Sequence, residues 1–151
     1  MKKQLAFVVG VALLVPVAAA AHRQSLVDGR DSKSDVDIKW ARLSHTATKV
    51  KFGVGTYARM PKNAEPCIDL RVGRTRYLAG CGPTPKTISK VDFDHPEAHR
   101  IGFSRTTKTV TYVVKRRFFD NPHSFRWRAA FFEEDRAADA VPNRGFKKHA
   151  F

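Results

Sequence analysis

Apolar and polar positions alternate along this chain in short bursts, each closed by a turn signal. From Lys49 to Tyr57, the residues Val50, Phe52 and Val54 fall on one face. That period of two is the mark of a half-buried strand. Ser124 to Phe132 repeats it, with Phe125, Trp127, Ala129 and Phe131 set against Arg126, Arg128 and Ala130. Weaker bursts run over Val36–Leu43, Cys67–Val72, Arg76–Cys81, Thr87–Phe93, Arg100–Arg105 and Thr109–Lys115. Glycine, proline and asparagine separate them, and no stretch has the period of an amphipathic helix. The pattern predicts an all-β domain over residues 36–132: a single antiparallel, jelly-roll-like β-sandwich of about eight strands. Residues 22–35 read as a polar arm and residues 133–151 as a polar, loop-like tail. Parity puts Trp40 with Ile38, and Trp127 with Phe125 and Phe131, so both tryptophans are expected in the core. Tyr57, Tyr77 and Phe132 fall opposite their strands' main apolar sets.

The first 21 residues follow another rule. Met1-Lys2-Lys3 precedes an apolar run to Val17, broken only by Gly10 and Pro16, and Ala18 to Ala21 supply small residues. This order predicts a signal peptide cut after Ala20 or Ala21. A spanning helix needs about 20 predominantly apolar residues, and Pro16 and the alanines suit cleavage better. No second long apolar segment follows. The mature chain is therefore expected to be secreted, extracellular or at the cell envelope, with no transmembrane anchor.

Export permits disulfides, and Cys67 and Cys81 are the two cysteines. A hairpin centred on Arg74 would set Cys67 opposite Cys81, Leu70 opposite Leu78 and Arg71 opposite Tyr77. Directly opposed residues lie within disulfide reach. The bridge is expected as a structural staple, since the spacing is not CxxC.

Charge narrows the partners. The chain has 28 Lys and Arg against 14 Asp and Glu, a net charge of +14. The excess sits in the body: Ile38 to Phe132 carries 19 basic and 6 acidic residues. Aspartates crowd the start of the mature chain and acidic residues its tail. A basic body attracts polyanions, though it also serves as an ordinary solvated surface. Lys49 and Lys51 share one strand face, Arg126 and Arg128 share another, and Tyr77 would stand beside Arg71. These five are the candidate ligand-binding residues. Export argues against nucleic acid and for an anionic envelope polymer or polysaccharide. Strands this short and basic do not make an outer-membrane barrel.

Other constellations carry less. Asp28, Asp31, Asp35 and Asp37 could offer oxygens to calcium, but they do not have EF-hand spacing, and aspartates also make turns. His95 and His99 are four apart, but Pro96 between them argues for a loop rather than a metal-binding helix. Glu133, Glu134 and Asp135 read as a solvated run rather than the placed carboxylates of a glycosidase. No GxSxG occurs. No catalytic residue and no cofactor is assigned.

Asp28-Gly29-Arg30-Asp31 followed by Asp35-Val36-Asp37-Ile38 resembles the opening of a loose class of secreted bacterial β-sandwich proteins. It is also similar to the first strand of DOMON and family 9 carbohydrate-binding-module sandwiches. Asp139-Ala140-Val141-Pro142-Asn143-Arg144-Gly145 resembles the close of the secreted class, and Phe125-Arg126-Trp127 fits between. The chain lacks the further C-terminal cysteines such proteins often carry. The resemblance implies a β-sandwich and no particular activity. The expected role is non-catalytic binding or structure at the cell envelope; the alternative is a small secreted hydrolase.

Overall fold

The computed structural model describes residues 23–62, 64–91, 97–133 and 136–151. The expected leader lies outside these residues, as do His95, Glu134 and Asp135. Among the described residues there are twelve strands: β1 (Arg23–Val27), β2 (Ile38–His45), β3 (Lys49–Thr56), β4 (Cys67–Val72), β5 (Thr75–Ala79), β6 (Thr87–Lys90), β7 (Ala98–Arg100), β8 (Gly102–Arg105), β9 (Thr109–Lys115), β10 (Ser124–Glu133), β11 (Arg136–Val141) and β12 (Lys147–Ala150). One 3-10 turn, η1 (Arg116–Phe119), joins β9 to β10.

The strands form two antiparallel sheets. One runs β1-β2-β3-β9-β8 and the other β11-β10-β4-β5-β6-β7, with β12 also paired to β10. The alternating faces meet between them. Val50, Phe52 and Val54 of β3 and Tyr112 of β9 are buried, as are Ile68 and Leu70 of β4 and Phe125 and Trp127 of β10. The Phe52 ring lies 5.5 Å from Trp127 and 6.3 Å from Phe125. This is the expected all-β sandwich, and Trp127 is in its core. Its indole N–H donates to Gln24 of β1 at 2.6 Å, so its polar edge is satisfied despite burial.

The structure departs from the expected strand count at the polar ends. β1 lies in the expected arm, and β11 and β12 lie in the expected tail. These strands complete the edges of stronger neighbours. β1 pairs with β2 along its full length. β12 pairs with one half of β10 and β11 with the other, while β4 takes the opposite edge. An unpaired edge leaves donors and acceptors that a polar segment can satisfy without an apolar face of its own.

The disulfide forms, with Cα atoms 5.1 Å apart, but in a different register. Ile68 opposes Ala79, Leu70 opposes Tyr77 and Arg71 opposes Arg76. The turn has two residues because Gly73 adopts a φ of 58°, which suits a hairpin with glycine leading its turn. Cys67 and Cys81 thus lie just past the last paired residues. Gly80, at φ 80°, turns the chain there. A Cβ on Gly80 would also fall 2.3 Å from the Tyr112 ring.

Candidate functional site

A second register change matters more. Ile38 pairs with Thr56, but Trp40 pairs with Gly55. The extra residue at Lys39 makes a bulge, which reverses the alternation. Ile38 is fully buried, while Trp40 emerges on the outer face of the five-stranded sheet. The expected core position of Trp40 is therefore corrected. Its indole lies against Gly53 and Gly55: a Cβ on Gly53 would meet it at 3.4 Å, and one on Gly55 at 2.2 Å. Two glycines on one face of β3 make the bed for this ring.

Around the indole lies an open trough of about 600 Å³. The Arg42 guanidinium sits over the Trp40 ring, 4.6 Å from its centroid. Arg23 and Lys51 line the trough, with Ser25, Ser44 and Thr111 as hydroxyl groups, and among the described residues no Asp or Glu lines it. The register explains the grouping. Ser25, Arg42, Gly53 and Thr111 form one lateral row, and Arg23, Ser44 and Lys51 the next. Lys49 lies directly opposite Lys115 on the same outer face. Like charges so placed weaken a sheet, and they extend the positive face along β3 and β9. The arrangement offers an aromatic plane, guanidinium and ammonium donors, and hydroxyls that can donate or accept.

The other pair of candidate cations sits on the opposite side of the molecule. Arg126 and Arg128 project from the outer face of the seven-stranded sheet. Arg128 donates through Nε and a terminal nitrogen to Asp69 at 3.2 and 3.1 Å, and Arg76 binds the same carboxylate at 2.9 Å. Asp69 is fully buried. Arg128 also stacks on Phe146, as does Arg71. Arg128 is thus engaged within the fold, whereas Arg126 is exposed. Lys86 and Arg105 are likewise engaged, both on Glu65. Sequence alone does not separate free cations from these paired ones.

No family model, curated protein or solved structure matches this chain.

Tyr77 is not a surface residue. The one-residue change in register turns it inward, where it is 4% exposed, and its hydroxyl donates to Asp120 at 2.5 Å. Burial, and then the adjacent Asp120 carboxylate, push its phenol well above the usual range. It is therefore a proton donor and not a base. Its hydroxyl borders a cleft of about 500 Å³ with Glu97, His99, Arg117 and Asp120. His99 stacks on Phe118 and pairs with the exposed Glu97 at 3.3 Å. This is where a hydrolase reading would have to rest. Its carboxylates are exposed, and Asp120 is held by Tyr77.

The four N-terminal aspartates are only partly gathered. Asp28 and Asp31 come together with Asp139 of β11, and Asp35 is not in the group. Asp37 stands close enough for its charge to raise both Asp28 and Asp139. Asp139 accepts N–H groups from Ile38 and Ala140. Burial nevertheless pushes its carboxyl up to about 6. The member from β11 lies more than 100 residues from the others, so local spacing could not reveal it.

Proposed function

We propose that this is a secreted, non-catalytic protein that binds anionic polysaccharide of the cell envelope through the trough around Trp40. The observation that carries this reading is the indole on the outside of the sheet, bedded on Gly53 and Gly55 and ringed by Arg23, Arg42 and Lys51, with no carboxylate among the described residues lining it. A sugar ring presents apolar C–H faces that stack on an aromatic plane, and binding one on Trp40 would have Arg42 swing off the indole toward the acidic substituent. Its acidic substituents are matched by guanidinium forks. The Cys67–Cys81 bridge supports an oxidising compartment.

Co-sedimentation or affinity electrophoresis with a polyuronate and with purified wall fractions tests the reading, with a neutral glucan as control. The wild type should be retarded by the acidic polymers and released by 1 M salt, where screening shortens to about 3 Å. Trp40→Ala and Arg42→Ala should each weaken retention at least tenfold while leaving the fold intact. Unchanged binding by both variants, or no binding to any acidic polymer, would overturn it.

A further inference from the structure

We propose that Asp28, Asp31 and Asp139 bind a calcium ion that fastens the loop between β1 and β2 to β11, joining the two sheets at one edge. This site is separate from the Trp40 trough and does not depend on the polysaccharide reading. One oxygen from each of the three carboxylates lies within 4.8 Å of the others. Oxygens sharing a calcium at 2.3–2.6 Å can stand no more than about 5 Å apart, so the spacing fits one common ion.

Proximity of acids is not the whole observation. Asp28 is only 9% exposed, and its Oδ2 is buried without a hydrogen-bond partner. Its other oxygen accepts the Gly29 N–H. Asp37, also 9% exposed, has an unpartnered buried Oδ1. Buried carboxylate oxygens without a partner are costly, and this chain has cations in excess that could have served them. Among the described residues, Arg30, 4.0 Å from Asp37, is the one basic side chain paired with any of the four. Asn143 donates to Asp31 at 2.7 Å and eases the charge on Asp28. A divalent cation among Asp28, Asp31 and Asp139 meets both needs of that group, its charge and the unmet lone pairs of Asp28 Oδ2, and its charge also offsets that of nearby Asp37. Calcium suits the irregular arrangement better than magnesium, which demands a near-ideal octahedron. Water and backbone carbonyls would complete its shell.

The loop is already positioned for this role. Tyr57 donates its hydroxyl to the Asp28 carbonyl at 2.7 Å, and its N–H to the Asp37 carbonyl at 3.0 Å. Asp139 reaches across from the other sheet to the N–H of Ile38. Tyr57 also stands near enough to Asp28 to sensitise a lanthanide substitute.

The test uses the chelator-treated secreted protein, titrated with calcium by calorimetry and thermal melting, and with terbium by luminescence. Calcium should bind with a Kd on the order of 10⁻⁴–10⁻³ M, as in extracellular modules. At 10 mM it should raise the Tm by about 3 °C or more. Asp31→Asn, an exposed change that spares the core, should weaken calcium binding at least tenfold, and Asp28→Asn likewise. Asp35→Asn should leave affinity within about twofold. The absence of heat, Tm shift and terbium signal would overturn the site. A loss in Asp35→Asn equal to that in Asp31→Asn would overturn the ligand set. Magnesium binding as tightly would overturn the choice of ion.

Discussion

Gly55 shows how much one hydrogen atom can decide. Any side chain there would collide with the Trp40 indole, 2.2 Å from the Cβ position. Gly55→Ala should therefore lift the ring off its bed, at a cost of about 1–3 kcal/mol. Polymer retention should fall as far as in Trp40→Ala. Chemical denaturation and acrylamide quenching of tryptophan check this together, since Trp127 is fully buried and Trp40 supplies the accessible emission. Unchanged quenching and binding in a folded Gly55→Ala protein would contradict the geometry. Asp69 is the corresponding residue on the other sheet. It is fully buried and takes two arginines, themselves 35% and 18% exposed. Removing one partner of a buried pair costs about 3–5 kcal/mol. Here the arginines can turn toward water, so Asp69→Ala should cost about 2–3 kcal/mol, read from urea midpoints.

At the scale of elements, the β4–β5 hairpin carries a covalent clamp and β10 carries none. Cys67 and Cys81 are 14 residues apart. In the loop-entropy model, closing about 15 residues contributes roughly 3 kcal/mol. The double variant Cys67→Ala/Cys81→Ala should lose about that much, measured by denaturation against the oxidised wild type. β10 depends instead on noncovalent partners, with β4 on one edge and β11 and β12 on the other. Phe151 packs on Phe125 at 5.4 Å between ring centroids, and the Arg116 guanidinium lies 3.5 Å from the Phe151 ring centre. The last residue is therefore part of the core wall, although the composition of the tail reads as loop. The hairpin was legible because cysteine, glycine and alternation act over a few residues. Its register was not, because Gly73-Arg74-Thr75 can close either a two-residue or a three-residue turn, and the choice depends on pairing along both strands.

Over the whole molecule, cations on the two opposed sheet faces have different surroundings. On the seven-stranded sheet, arginines bind Asp69 and stack on Phe146 and Phe132. On the five-stranded sheet, cations stand around an open trough that no carboxylate among the described residues lines. Reversing Lys49 and Lys51 to Glu should abolish retention by acidic polymers at 0.1 M salt. Reversing Arg126 should change it less than about threefold. Both variants should melt near the wild type, since exposed substitutions usually alter stability by about 0.5 kcal/mol or less. Equal losses from the two faces would assign binding to net charge alone. Among the described residues, no helix is long and apolar enough to cross a membrane.

The sequence by itself determined the sheet-forming alternation, the sandwich class, the bridge between Cys67 and Cys81 and the burial of Trp127. Each depends on a period or a spacing that operates over a few residues. The tertiary structure decided the rest. A bulge at Lys39 moved Trp40 from the core to the surface, and a shortened turn moved Tyr77 the other way. In a strand, one residue of slip exchanges the two faces. Open edges recruited β1, β11 and β12 from segments whose own pattern is too weak to mark them as strands. Asp139 joined Asp28 and Asp31 because two distant strands meet at one edge of the sandwich, a proximity that no local pattern encodes.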